Sequence, residues 1–304
     1  MIIDTHAHIG TLPPFDMTVE QVLYSMDKYS IDFTILSNIE GAENDHQRNP
    51  VPPPYSKPQN QLLRETIEAV RPYPDRLGIM PWLRIQHELP DAEFVSLLKE
   101  NRDIIYGLKL HPFHSLTAPD EERLEPIYRI AAEFDLPVAS HTGGCEQAMS
   151  AHLYNAAKRH PEVKFIMVHM DLGTDNSAAL DLLGKLPNLY GDTTWVPVST
   201  TVEAIRRYGS EKMLFGTDNP IDGKDTLLHN KTGERSLYQQ YFNELKELIS
   251  ADDYANLMYK TLKGYSGYDT AGLYSRPFQG IQRKYAKADR RYFNVHRPRR
   301  QSSC

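Results

Sequence analysis

Five of the twelve histidines fall at or just beyond the ends of short apolar runs: His6 and His8 on the first, His111 on the fourth, His141 on the fifth and His169 on the sixth. Asp218 follows the eighth. In Asp4-Thr5-His6-Ala7-His8 the two imidazoles are spaced i and i+2, which in a strand puts them on the same side. Two imidazoles projecting together are natural ligands for Zn, Mn, Fe or Co. His141 and Asp218 would complete a site of mixed nitrogen and oxygen donors. A divalent cation held there lowers the pKa of water to about 7 and so makes hydroxide available at neutral pH. A lone His-x-His pair is often only hydrogen-bonded. What lifts this pattern above that reading is four candidate ligands at the matching ends of three strands.

These residues need a frame that brings strand ends together. Apolar runs of four to seven residues at 2–6, 33–37, 77–83, 105–110, 137–140, 165–168, 189–192 and 213–216 read as eight buried parallel strands. The stretches between them carry helical period: 19–29, 61–70, 93–101, 126–134, 147–160, 178–186 and 202–208, then 237–249 and 252–262 beyond the last strand. Thr18 with Gln21 fits a capping box. Eight alternations over residues 1–265 predict an α/β chain folded as a (β/α)8 TIM barrel, whose chemistry sits at the carboxyl ends of its strands. An open doubly wound sheet is the alternative, but no G-x-G-x-x-G or Walker motif supports nucleotide binding. Two long loops, 39–60 with five prolines and the polar 219–236, leave carboxyl strand ends.

Asp4-Thr5-His6-Ala7-His8, Gly107-Leu108-Lys109-Leu110-His111-Pro112, Ser140-His141-Thr142-Gly143, Val168-His169-Met170 and Phe215-Gly216-Thr217-Asp218-Asn219-Pro220 together resemble the amidohydrolase superfamily, in its amidohydrolase 2 branch of TIM-barrel metal-dependent hydrolases. The resemblance spans about residues 1–265. It implies that His6, His8, His141 and Asp218 are the metal ligands. The metal it implies is Zn, with Mn or Co as alternatives, at one per chain in preference to two. Asp218 would double as the base that relays a proton to the leaving group, and His169 would be a proton shuttle or a second metal's ligand. Lys109 is placed either for carboxylation and bridging of two metals, or as an ammonium facing a substrate carboxylate or oxyanion. The implied reaction is hydrolysis of a small cyclic or acyl substrate, a lactone, amide or ester. The alternative is non-oxidative decarboxylation of an unsaturated or aromatic acid. Decarboxylating relatives tend to have a glycine-rich run after the sixth-strand histidine, and His169-Met170-Asp171-Leu172-Gly173 departs from it. TatD-like nucleases share the Asp-x-His-x-His start, but carry glutamate where this chain has Lys109. A degenerate binding barrel would have lost ligands that are all present here.

Arg84, His111 and Trp195 are weaker candidates for contact with a planar or anionic small-molecule substrate. Lys224, His229 and Lys231 lie in the last loop and would close over it. His46, His87, His114, His152, His160 and His296 fall in loops or helices and read as surface residues. Cys145 has no adjacent base evident in the sequence. Of 34 basic and 40 acidic side chains, nine and one lie between Arg276 and Cys304, which leaves an acidic body. That body argues against nucleic-acid binding. The basic residues 266–304 read as a C-terminal extension, solvated or serving a homo-oligomer. No apolar run reaches membrane-span length, and the N-terminus lacks the pattern of a secretory leader. Two cysteines, Cys145 and Cys304, make no disulfide framework, so a cytoplasmic setting is expected.

Overall fold

The computed structural model describes residues 1–221 and 237–263. Lys224, His229, Lys231 and the extension at 266–304 lie outside them. Among the described residues there are nine strands: β1 (Ile3–Leu12), β2 (Phe15–Met17), β3 (Phe33–Asn38), β4 (Leu77–Ile79), β5 (Leu108–Leu110), β6 (Val138–Gly143), β7 (Phe165–Leu172), β8 (Leu189–Asp192) and β9 (Met213–Leu214). They pair in the orders β2-β1-β3-β4 and β5-β6-β7-β8-β9. Every pairing is parallel except the β1/β2 hairpin.

The two sheets close on each other. Isolated bridges Ile79–Ile105 and Trp82–Lys109 join β4 to the β5 segment. On the other side Thr5 N donates to Phe215 O at 2.9 Å and His8 N to Asn219 O at 2.8 Å, so the chain after β9 pairs with β1. The result is an eight-stranded parallel barrel, with β2 an added arm. Asp4 strengthens this last seam: its carboxylate accepts Thr217 N at 3.0 Å and Thr217 Oγ1 at 2.7 Å. That contact explains why an aspartate precedes the His-x-His pair.

Helices cover the outside. α1 (Val19–Tyr29) opens with the capping box of Thr18 and Gln21 and buries Val22 and Met26. α2 (Gln59–Val70), α3 (Ala92–Glu100), α4 (Pro112–Ser115), α5 (Glu125–Glu133), α6 (Ser150–Arg159), α7 (Ser177–Leu183) and α8 (Val198–Tyr208) follow the strands in turn. Their apolar faces meet Leu36, Leu77, Leu108, Val138, Phe165 and Leu189, all buried on the strands. Each such side chain contributes about 2 kcal/mol by leaving water. α4 was not legible in sequence. Pro112 does end β5 near Leu110, but it then serves as the first residue of a short helix. Beyond β9, the expected single helices at 237–249 and 252–262 are broken. Leu237–Asn243 and Leu245–Leu248 are separate, and a wide turn at Asn256–Lys260 interrupts the second.

β1 and β7 both run past their expected ends at His6 and Val168. The extension of β7 is made possible by Gly143 (φ +98°) on β6. A Cβ there would lie 2.2 Å from Leu172 N. Only glycine permits both the left-handed backbone and the close approach. The proline-rich loop is not loose. Glu43 is buried and accepts Gln86 N at 3.0 Å and His87 N at 2.9 Å, and Asn44 Nδ2 donates to His114 O at 3.0 Å. Among the described residues no helix is long and apolar enough to cross a membrane.

Candidate active site

The strand ends place His6, His8, Lys109, His141, His169 and Asp218 around one buried centre, each less than a tenth exposed. His6 Nε2 and His8 Nε2 lie 3.0 Å apart. Asp218 Oδ1 is 3.1 Å from His8 Nε2 and 3.6 Å from His6 Nε2. The opposite ring nitrogens face obligate acceptors: His6 Nδ1 meets Asp192 Oδ2 at 3.2 Å, and His8 Nδ1 meets Ser37 O at 3.3 Å. Both Nδ1 atoms therefore carry protons. Three electron-rich atoms are left converging on one point, and they call for positive charge beside them: the Lys109 ammonium, 3.1 Å from His6 Nε2, and a bound cation. Among the described residues, His6, His8 and Asp218 form a group of ligand types close enough to share a metal ion. His141 lies beside them, its ring 4.7 Å from that of His169, and its Nδ1 is buried without a protein partner. The residues present thus fit a divalent cation.

Charge at the centre is tuned by burial. Desolvation, aided by the Lys109 charge, holds His6 well below the usual imidazole range, so it stays neutral. Burial likewise pulls His169 down to about 4. Burial acts to raise Asp218, but the close approach of His8 and the nearby imidazoles outweigh it and hold the carboxyl well below its usual range. Lys109 is wholly enclosed, and burial lowers its ammonium to about 8 against the pull of Asp192 and Asp218. Its Nζ sits 3.1 Å from His6 Nε2.

Trp195 Nε1 donates to Asp218 Oδ2 at 2.6 Å, so the two carboxylate oxygens divide their work between the indole and the histidine pair. Trp195 (φ 59°) and Asp218 (φ 61°) both occupy the left-handed region. So do three residues in a row at His169, Met170 and Asp171. Such backbone costs about 1–2 kcal/mol per residue and persists only where its surroundings enforce it. Here Asn176 Nδ2 donates to Met170 O at 2.7 Å, and Asp171 accepts Ser150 N at 2.7 Å.

One wall is aromatic. His111 is stacked between Trp82 (4.7 Å, 11°) and His141 (4.1 Å, 18°). His114, expected at the surface, is buried with its ring 4.4 Å from His111. It is there because α4 folds it back onto the barrel. Arg84 is not gathered into this centre: it donates to Lys57 O of the proline-rich loop at 2.6 Å and pairs with Glu88, one helical turn further on, at 3.0 Å.

The family model for amidohydrolases matches residues 3–233. The chain belongs to the amidohydrolase family. No curated protein matches this amidohydrolase in sequence. Solved structures do match its fold. A 2,6-dihydroxybenzoate decarboxylase complexed with 2,6-dihydroxybenzoate aligns at TM-score 0.61 and 15% identity, over 86% of this chain and 97% of that one. The probable 2-pyrone-4,6-dicarboxylic acid hydrolase of Acinetobacter baumannii, with citric acid bound, aligns at 0.60 and 16%, over 88% and 99%. The 5-carboxyvanillate decarboxylase of Novosphingobium aromaticivorans, a mutant with bound manganese and a nitrobenzoic acid, aligns at 0.66 and 12%, over 87% and 96%. At these identities the likeness is one of fold.

Sequence reading missed three residues of the amidohydrolase's centre: Asp192, Trp82 and His114. Asp192 ends β8 in Tyr190-Gly191-Asp192, and a carboxylate at a strand's carboxyl end was the available signal. Trp82, two positions before Arg84, occupies the third barrel strand's end and carried the same kind of signal.

Proposed function

We propose that this amidohydrolase is a metal-dependent hydrolase of a small cyclic or acyl substrate, a lactone, amide or ester. The observation that carries the reading is the convergence of His6 Nε2, His8 Nε2 and Asp218 Oδ1 within 3.6 Å of one another. These three would hold one divalent cation, with His141 as a fourth ligand and Zn, Mn or Co as the metal. When bound, the cation would polarise a carbonyl and lower the pKa of water. The remaining chemistry belongs to side chains. Asp218, ionised and steadied by Trp195, takes the proton of the attacking water and delivers it to the leaving group. His169 is neutral, with Nδ1–H directed at Thr194 O (3.1 Å), so its Nε2 lone pair is available to assist that transfer. Lys109 presents positive charge to a substrate carboxylate or a developing oxyanion. His111 and Trp195 would contact the substrate body; Arg84 would reach it only through the proline-rich loop.

The second reading is decarboxylation of an aromatic or unsaturated acid, supported by the likeness in fold to a 2,6-dihydroxybenzoate decarboxylase and a 5-carboxyvanillate decarboxylase. The same centre would serve it, with Lys109 on the carboxylate. One assay separates the two. Metal-reconstituted protein is offered lactones, esters, amides and carboxylated rings, and acid release and CO2 release are recorded separately. Hydrolysis that falls at least about 100-fold in Asp218→Asn supports the first reading. CO2 release without net hydrolysis replaces it with the second.

A further inference from the structure

The segment Asp192-Thr193-Thr194 touches two functional imidazoles at once. Asp192 Oδ1 accepts His169 N at 2.9 Å and Thr194 N at 3.2 Å. Oδ2 accepts His6 Nδ1 at 3.2 Å and Thr194 Oγ1 at 2.7 Å. Thr194 O, on the same segment, accepts His169 Nδ1 at 3.1 Å. Asp192 is 1% exposed, and all four of its donors are protein groups.

We infer that Asp192 is a positioning residue that sets the tautomer of His6 and ties it to the placement of His169. Oδ2 accepts only, so it fixes the His6 proton on Nδ1 and leaves Nε2 as a lone pair facing His8. Oδ1 holds the amide of His169, the first of three consecutive left-handed residues, and so fixes where that ring enters the centre. One carboxylate thereby registers the His pair against the proton-handling imidazole, 163 residues apart in sequence. Partners of this kind beyond a metal's ligands commonly govern affinity by about 10- to 100-fold.

Asp192→Asn separates this role from simple packing. The two backbone amides at Oδ1 cannot turn away, so the amide oxygen stays with them and the NH2 group faces His6 Nδ1. His6 must then accept at Nδ1 and carry its proton on Nε2, where a lone pair was. Ring 15N shifts of metal-free protein read this directly. The wild type is expected to show His6 protonated on Nδ1, and Asp192→Asn to show it on Nε2. Manganese affinity by calorimetry is expected to fall about 10- to 100-fold, in line with such partners elsewhere. Thr194→Val removes only the competing Oγ1 donor and leaves Oδ2 to His6, so it should keep His6 protonated on Nδ1. It serves if the asparagine variant folds poorly, and a move of the His6 shifts toward Nε2 in it would count against the inference. Wild-type His6 protonated on Nε2, or an unchanged His6 tautomer in Asp192→Asn, overturns the inference. The affinity arm rests on the cation site proposed above. If wild type takes up no manganese, that site fails, while the tautomer comparison still decides the role of Asp192.

Discussion

The Nε2 atoms of His6 and His8 lie 3.0 Å apart, and each ring donates from its far nitrogen to an acceptor that cannot donate back. Two lone pairs held that close are costly unless positive charge sits beside them. Lys109 Nζ, 3.1 Å from His6 Nε2, supplies part of that charge.

Lys109 gives the centre a pH-dependent stability with a definite sign. Its folded pKa, about 8, lies below the ordinary 10.5 because burial penalises the ammonium. Between those values the unfolded chain binds the extra proton, so stability rises with pH across that window. The burden present below pH 8 amounts to about 3 kcal/mol. Urea unfolding of metal-free protein at pH 7.5 and pH 10 is expected to show this rise in the wild type and not in Lys109→Met. Equal slopes in both would refute the assignment.

Trp195→Phe tests the bond to Asp218. Loss of a hydrogen bond to a charged group of this kind costs about 1.5–3 kcal/mol. Turnover is expected to drop roughly 10- to 100-fold, with metal content per chain unchanged. A drop in metal content instead would mean that the indole holds the ligand in place and not the base.

Gly143→Ala probes the seam between β6 and β7. The added methyl meets Leu172 N, and φ +98° disfavours any side chain. A destabilisation of at least about 2 kcal/mol is expected from strain of this kind. Denaturant titration measures it, and a change below about 0.5 kcal/mol would show that the seam relaxes easily.

Much of the barrel was legible because strands buried on both faces must be apolar runs. Phe33–Asn38 and the first half of Phe165–Leu172 announce themselves that way. The His-x-His pair was legible for the same reason: strand geometry alone sets its facing. Short elements were not. Phe15–Met17 gains its strand from pairing with Gly10–Leu12, and Pro112–Ser115 gains its helix from the turn at His111, neither of which local composition encodes. Asp192 was hidden for a different reason. Its contact with His6 joins residues 186 apart, and no spacing near either one signals it. His114 looked solvated because a histidine after Pro-Phe carries no apolar period, yet the loop carrying Asn44 covers it and bonds its ring Nδ1 at 2.6 Å.

The most direct measurement is elemental analysis of the protein after reconstitution, counted per chain, for the wild type and for His6→Ala. About one divalent metal per chain in the wild type, and essentially none in a still-folded His6→Ala, is the predicted result. A wild type that takes up no metal, or a His6→Ala variant that retains a full equivalent, would contradict the centre built from His6, His8 and Asp218.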